Sequence, residues 1–254
     1  MDVDWRGIDH VTKVDPAKSL PADPSILAGT DLVMVGGSDG VTDANTLEAI
    51  DAIREAAPDV PIFQEPYDDA QVTLETVDAI DAMAIPAVYN GDSDHFVGKH
   101  LGMYTELATQ PASILGAGLP LVGSVIESKG RAAVAEITEK IVPEGYVIQN
   151  LDSAAAVTAG VSEVFSTDQV AGAALATETF YDFPIFYVEY SGTYGGPEDV
   201  AAAADQLEET VLLYGGGIDT REKAREILEA GADAIVVGDC YHDDPDRFVE
   251  TIPR

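Results

Sequence analysis

The stretch Val211-Leu212-Leu213-Tyr214-Gly215-Gly216-Gly217-Ile218-Asp219-Thr220, with its echo Ala234-Ile235-Val236-Val237-Gly238-Asp239, decides how this chain is read. Each begins as a short, continuous apolar run and stops at glycine, the pattern of a strand buried on both faces. Between them Thr220 to Glu229 reads as an amphipathic helix. Glycine at both strand ends lets backbone N–H groups approach an anion, and the helix opening at Asp219-Thr220 adds a favourable dipole. As a pair they read as a phosphate site, although the same glycines could serve only to make tight turns.

Six further runs of the same kind precede these two: Ile8 to Thr12, Asp31 to Val35, Pro61 to Glu65, Ile85 to Tyr89, Tyr146 to Asn150 and Pro184 to Tyr190. Amphipathic stretches separate them at Ala44 to Ala57, Val72 to Ile80, Val134 to Ile141, Ser153 to Gly160, Gln169 to Phe180 and Pro197 to Glu208. Eight strands alternating with helices predict a closed α/β barrel, the (β/α)8 TIM fold, with residues 1–254 as a single domain. Such barrels typically run to about 250 residues. A further helical segment, Phe96 to Leu107, lies inside the long stretch Gly91 to Gly145 that breaks the rhythm. With Gly102, Gly116, Gly118 and Gly123 in its middle, that stretch reads either as an elaborated helix or a subunit interface, with a homodimer expected, or as a wall or lid for an apolar substrate. Pro66 to Asp69 reads as an acidic loop beside the third strand.

The chain carries 46 acidic and 13 basic residues, a formal net charge of -33. That balance excludes DNA, RNA and stable binding to anionic lipid as partners. The acids are spread through apolar-periodic segments, so the chain reads as folded rather than disordered. Its surface suits molar salt, where a Debye length of about 3 Å screens the self-repulsion. The single cysteine, Cys240, allows no internal disulfide and reads as inert. The start, Met1-Asp2-Val3-Asp4-Trp5, lacks the regions of a signal peptide, and the apolar stretch Pro111 to Ile126 is broken by Pro120 and glycines. A cytoplasmic enzyme is expected, with transient contact to a membrane surface left open.

In a barrel, chemistry sits at the carboxyl ends of the strands. On the sixth run Tyr187, Glu189 and Ser191 alternate onto one face. A carboxylate flanked by hydroxyls there could grip and deprotonate an alcohol, or it could be a buried acid satisfied by tyrosines. The first run ends Lys13-Val14-Asp15-Pro16. Lys13 could meet phosphate and Asp15 could hold Mg²⁺, a hard ion that favours oxygen ligands; a plain salt bridge would use the same pair. Ser38, after the second run, could be a second oxygen ligand or part of a turn. Lys99 could bind a diphosphate or be solvated, His95 and His100 lack metal-ligand spacing, and Asp243, Asp244 and Asp246 read as solvated surface.

Taken together, His10-Val11-Thr12-Lys13-Val14-Asp15-Pro16, Gly37-Ser38, Asn90, Gly98-Lys99-His100, Asn150 with Asp152-Ser153, the run Tyr187 to Gly195, Tyr214 to Asp219 and Val236 to Gly238 resemble the geranylgeranylglyceryl phosphate synthase family of archaeal lipid enzymes. With the acidic composition, a haloarchaeal-type member is expected. The resemblance runs over nearly the whole chain and implies a modified barrel whose third helix is replaced by loop. It implies transfer of a geranylgeranyl group from geranylgeranyl diphosphate to the 3-hydroxyl of sn-glycerol 1-phosphate. By the same resemblance Lys13, the stretch Tyr187, Val188, Glu189, Tyr190, Ser191 and Gly192, together with Gly217, Gly238 and Asp239, would bind glycerol phosphate. Asp15 and Ser38 would bind Mg²⁺, and Glu189 would act as the catalytic base. The family usually has asparagine where this chain has Asp239, so the backbone there, rather than the anionic side chain, is expected to meet phosphate.

Other readings share parts of this pattern. A sugar-phosphate isomerase or aldolase would use the same phosphate glycines, but an aldolase needs a buried lysine, and none of the later strands offers one. A non-catalytic phosphate-binding scaffold would not need Lys13, Asp15 and Glu189 together. A related synthase with a longer prenyl donor would share the whole pattern.

Overall fold

The computed structural model describes residues 5–112 and 124–253. Eight parallel strands pair in sequence order: β1 His10–Val14, β2 Leu32–Val35, β3 Ile62–Gln64, β4 Ala82–Val88, β5 Ile141–Ile148, β6 Ile185–Glu189, β7 Val211–Gly215 and β8 Ala234–Val237. Strand β8 returns to pair with β1, so the sheet closes. The helices are α1 Asp43–Ala56, α2 Leu74–Ala79, α3 Lys99–Thr109, α4 Ser124–Lys140, α5 Ala154–Ala159, α6 Thr167–Ala176, α7 Pro197–Ala204, α8 Arg221–Glu229, α9 Asp239–Asp243 and α10 Pro245–Thr251. Their starts follow capping chemistry: Thr42, Thr73 and Ser166 each close a capping box with the residue three positions on. Among the described residues no helix is long and apolar enough to cross a membrane.

Two strands begin earlier than the apolar runs predict. Ala82-Met83-Ala84 carries no β-branched residue, and Pro143-Glu144-Gly145 looks like a turn, yet both lie in the sheet with Ala84 opposite Val142 and Pro86 opposite Glu144. The resemblance implies loop in place of the third helix. The structure instead has a single 3-10 turn at Asp69–Gln71 followed by the six-residue α2, a shortened form of the periodic stretch Val72 to Ile80. Lys140, at the end of α4, fixes it by donating to the carbonyls of Val77 and Ile80 at 2.6 and 2.9 Å.

Strand alternation divides the core into two shells. Val33, Val35, Phe186, Val188, Leu212 and Val237 face the helices, while Val11, Leu32, Met34, Phe63, Ile185 and Leu213 fill the barrel interior. Each fully buried side chain of this size contributes about 1.5–3 kcal/mol. Acids before the strands are structural. Asp31 accepts from the N–H groups of Asp9 and His10, Asp81 from Ile62, and Asp233 from Leu212, so each pins the start of a neighbouring strand. His10, from the first motif, faces the helices, held between the hydroxyls of Thr30 and Thr251 at 2.8 and 3.1 Å. Burial lowers its pKa to about 4, so it is a neutral packing residue.

Candidate active site

A polar cavity of about 730 Å³ opens at the carboxyl ends of the strands. Strand β6 ends on its wall. Tyr187 and Glu189 point into the barrel, and Ser191, just past the strand, turns its hydroxyl back to donate to Oε1 of Glu189. Oε2 of Glu189 is buried and has no partner among the described residues. The resemblance assigned the whole stretch Tyr187 to Gly192 to substrate, and here strand alternation requires a correction. Val188 is buried in the outer shell. Tyr190 stacks on Tyr214 with ring centroids 5.8 Å apart and donates to Asp199 at 2.7 Å. Neither side chain reaches the cavity; Tyr187, Glu189, Ser191 and Gly192 do.

Below the opening the interior is unusually charged. Lys13 on β1 donates to Glu65 at the end of β3. Burial would lower the Lys13 ammonium, but Glu65, Glu189 and Glu144 together outweigh it and raise the pKa, so the lysine stays charged. Burial raises the carboxyl of Glu65 despite Lys13, with Glu189 adding to the rise. Glu144 on β5 is fully buried, and neither of its oxygens has a hydrogen-bond partner among the described residues. Burial, then the charge of Glu65, hold its pKa well above the usual carboxylate range. Tyr146 and Tyr187 face each other across β5 and β6, with ring centroids 4.6 Å apart. Burial and then Glu189 push both phenols far up, so they remain neutral donors.

The glycines after β7 and β8 line the same cavity, next to the end of β6. Gly217 has φ +56°, and a Cβ there would lie 2.5 Å from the backbone nitrogen of Tyr194. Glycine is therefore required both by conformation and by the loop after β6 that lies against it. Gly238 follows β8, and a Cβ on it would make only ordinary contact with Lys13, at 3.4 Å. The Asp239 side chain pairs with Lys18 at 2.8 Å. Cys240 is buried, and burial followed by the charge of Asp244 pushes its thiol up to about 11, as an inert residue requires. Asp244 is not simply solvated surface: it caps α10 through the N–H of Arg247 and pairs with that guanidinium at 3.4 Å.

Asp15 and Ser38 both line the polar cavity. A Cβ on Gly37 would sit 2.7 Å from Oδ1 of Asp15, so the carboxylate rests directly on the backbone beside Ser38. Oδ1 accepts from the N–H of Ala17 at 2.9 Å. His242 on α9 holds this loop: its Nε2 accepts from the N–H of Asp15 at 3.0 Å, which leaves Nδ1 to donate to the Ser19 carbonyl at 3.1 Å. One carboxylate and one hydroxyl on a backbone cradle are hard oxygen donors suited to Mg²⁺. Among the described residues no three His, Cys, Asp or Glu side chains gather as a complete metal cage. The donor set therefore fits an ion completed by water and substrate oxygens.

A second, mostly apolar cavity of about 340 Å³ adjoins the first, lined by Val72, Ile85, Val88, Met103, Ile148 and Ala159 among others. Ser38, Glu65, Tyr146 and Glu189 belong to both walls. The two cavities thus meet at a carboxylate with a free oxygen. Lys99, His95 and His100 line the apolar side; His95 is bound to Asp92 at 2.9 Å and His100 to the Pro86 carbonyl at 3.2 Å. Part of the elaborated helix, interface or apolar wall expected within Gly91 to Gly145 falls on residues 113–123, outside the described residues. Asn90 and Asn150 are backbone pins, bridging to Ile148 and to the Ser191 carbonyl.

Sequence reasoning missed Glu65, Glu144, Tyr146, Lys18 and His242. Glu65 had a signal, since an inward-facing lysine demands an acid and Glu65 shares strand parity with Phe63. Glu144 had none, because its strand begins inside an apparent turn. Lys18 and His242 lie 224 residues apart in loop and short helix, and only the closed barrel brings them together.

A closed parallel barrel with a polar anion-type cup and an adjoining apolar cleft at its carboxyl end belongs to the class of barrel enzymes acting on phosphorylated substrates. Comparison with known proteins narrows this. The PcrB family matches residues 3–254, and the chain belongs to that family. A geranylgeranylglyceryl phosphate synthase of Methanocella arvoryzae is 32% identical over 244 residues, covering 94% of this chain and 92% of the relative. A heptaprenylglyceryl phosphate synthase of Listeria innocua is 34% identical over 248 residues, covering 95% of each. The crystal structure of (S)-3-O-geranylgeranylglyceryl phosphate synthase from Thermoplasma acidophilum, in complex with its substrate sn-glycerol-1-phosphate, superposes with a TM-score of 0.73 at 22% identity. It covers 98% of this chain and 94% of that one.

Proposed function

We propose that this protein transfers a geranylgeranyl group from geranylgeranyl diphosphate to the 3-hydroxyl of sn-glycerol 1-phosphate, forming the first ether bond of an archaeal-type membrane lipid. The observation that carries the reading is the junction of a polar and an apolar cavity at Glu189. Such a junction suits a reaction that joins a polyol phosphate to a hydrocarbon chain. The names of relatives at 32–34% identity point the same way.

Glycerol phosphate would place its phosphate against the loops of Gly217 and Gly238, whose backbone can approach an anion closely. Its terminal hydroxyl would then reach Oε2 of Glu189, the oxygen that Ser191 leaves free. As the carbon–oxygen bond forms, the hydroxyl proton passes to Glu189 and diphosphate departs from the allylic carbon. Lys13 holds Glu65 and Ser191 holds Glu189 in place, while the apolar cleft houses the chain and excludes competing water. Mg²⁺, held by Asp15 and Ser38, would neutralise the diphosphate and ease its departure.

The relatives named for heptaprenyl transfer favour a second reading of the donor alone. Incubation with sn-glycerol 1-phosphate, Mg²⁺ and prenyl diphosphates of several lengths, with product mass measured, tests both. The geranylgeranyl ether is expected as the main product. A heptaprenyl ether would shift the donor, and no ether product from any donor would end the proposal.

A further inference from the structure

The polar cavity poses an electrostatic problem for its own substrate. Eight carboxylates line it, against three cations, Lys13, Lys18 and Arg247. A phosphate dianion entering there meets like charge on most sides. Lys13 pairs with Glu65 inside the barrel, with its side chain more buried than that of Lys18, and Arg247 is shared between Asp219 and Asp244 at 3.6 and 3.4 Å. Lys18 remains, and its setting differs from that of a surface lysine. Its own N–H bonds the Asp15 carbonyl at 3.0 Å, closing a turn. His242 grips the loop on both sides of it, at Asp15 and at Ser19. The ammonium reaches across to Asp239, the residue that follows Gly238 on the phosphate wall.

Asp239 puts an anionic side chain beside a backbone built to receive an anion. A carboxylate there opposes phosphate binding unless it is neutralised. An ammonium has three donors, and Asp239 takes one of them. We propose that Lys18 is a further substrate-binding residue of the glycerol phosphate site: it neutralises Asp239 and offers its remaining donors to the substrate phosphate. This inference rests on the proposed function for the identity of the phosphate ester, and on the cavity alone for the anion.

The test is a binding cycle at the lowest salt that keeps the protein folded. Wild type, Lys18→Met, Lys18→Arg, Asp239→Asn and the Lys18→Met/Asp239→Asn double variant are titrated with inorganic phosphate and with sn-glycerol 1-phosphate. Lys18→Met should weaken both ligands about tenfold, as loss of one charge-assisted contact implies, or about 1.4 kcal/mol. Lys18→Arg should bind nearly as wild type. The double variant should recover part of the loss, because the uncompensated Asp239 charge is gone. In molar KCl the defect of Lys18→Met should shrink, since screening weakens an exposed contact. Unchanged phosphate affinity in Lys18→Met, or the same loss with and without Asp239, would overturn the proposal. If wild type bound phosphate but not sn-glycerol 1-phosphate, the proposed substrate would fail while the role of Lys18 was still decided by the phosphate arm.

Discussion

Replacing Glu189 by glutamine isolates the chemical step from the binding that precedes it. Glu189 is 5% exposed, with Oε1 engaged by Ser191 and Oε2 without a partner among the described residues. In Glu189→Gln the amide oxygen can still accept from Ser191, so the NH₂ group takes the place of Oε2. The atom facing the hydroxyl then becomes a donor that cannot take its proton. General-base catalysis contributes about 10²- to 10⁴-fold, equivalent to about 2.7–5.4 kcal/mol of barrier. Single-turnover rates should fall by that range. Affinity for glycerol phosphate should fall far less, because the glycine loops and the Lys13–Glu65 pair are untouched. The fold should not suffer, since one of three mutually repelling interior carboxylates is removed. The assay is rapid-quench product formation at saturating substrates, paired with calorimetric titration of sn-glycerol 1-phosphate. A near-normal rate at saturation with strongly weakened binding would make Glu189 an anchor and refute its role as base.

Other perturbations follow from the same geometry. Asp15→Asn should retain the fold, because its side-chain oxygen can still accept from Ala17, but should lose most activity and require more Mg²⁺; unchanged activity and Mg²⁺ dependence would remove Asp15 as metal ligand. Gly238→Ala should fold normally, because its Cβ meets Lys13 at ordinary distance, and should weaken glycerol phosphate more than prenyl diphosphate. Gly217→Val should instead unfold the loop against Thr193 and Tyr194 and harm both substrates, an outcome calorimetry and circular dichroism separate. Glu144→Gln should raise the melting temperature at pH 8 and do less at pH 5. The native pKa of Glu144 lies above its unfolded value, so in wild type stability is lost as pH rises from about 4.5 toward that raised pKa. A gain of about 1 kcal/mol corresponds to about 2–4 °C in a chain of this size; a flat comparison across pH would mean that Glu144 finds a partner. Finally, the excess of acids should make the melting temperature climb between low and molar KCl, and a constant value would remove the argument for a salt-adapted surface.

Much of the barrel was legible because its strands are buried on both faces and announce themselves as apolar runs ending in glycine. Val211 to Gly215 and Ala234 to Val237 lie where the runs place them. The alternation of Tyr187, Glu189 and Ser191 held because strand geometry fixes it, and the same alternation removes Val188 and Tyr190 from the site. What escaped was information that only closure creates. Pro143-Glu144-Gly145 looks like a turn until β4 pairs with it, so the acid at the heart of the barrel was invisible. The link from His242 to Asp15 joins α9 to the loop after β1, and no local pattern encodes it.

A crystal structure with bound sn-glycerol 1-phosphate would show whether a phosphate cup and a hydrocarbon cleft meet at Glu189. The phosphate should lie against Gly217 and Gly238, with the terminal hydroxyl within hydrogen-bond reach of Oε2 of Glu189 and open to the apolar cleft. A glycerol phosphate bound away from these loops, or turned so that its hydroxyl points away from Glu189, would contradict it.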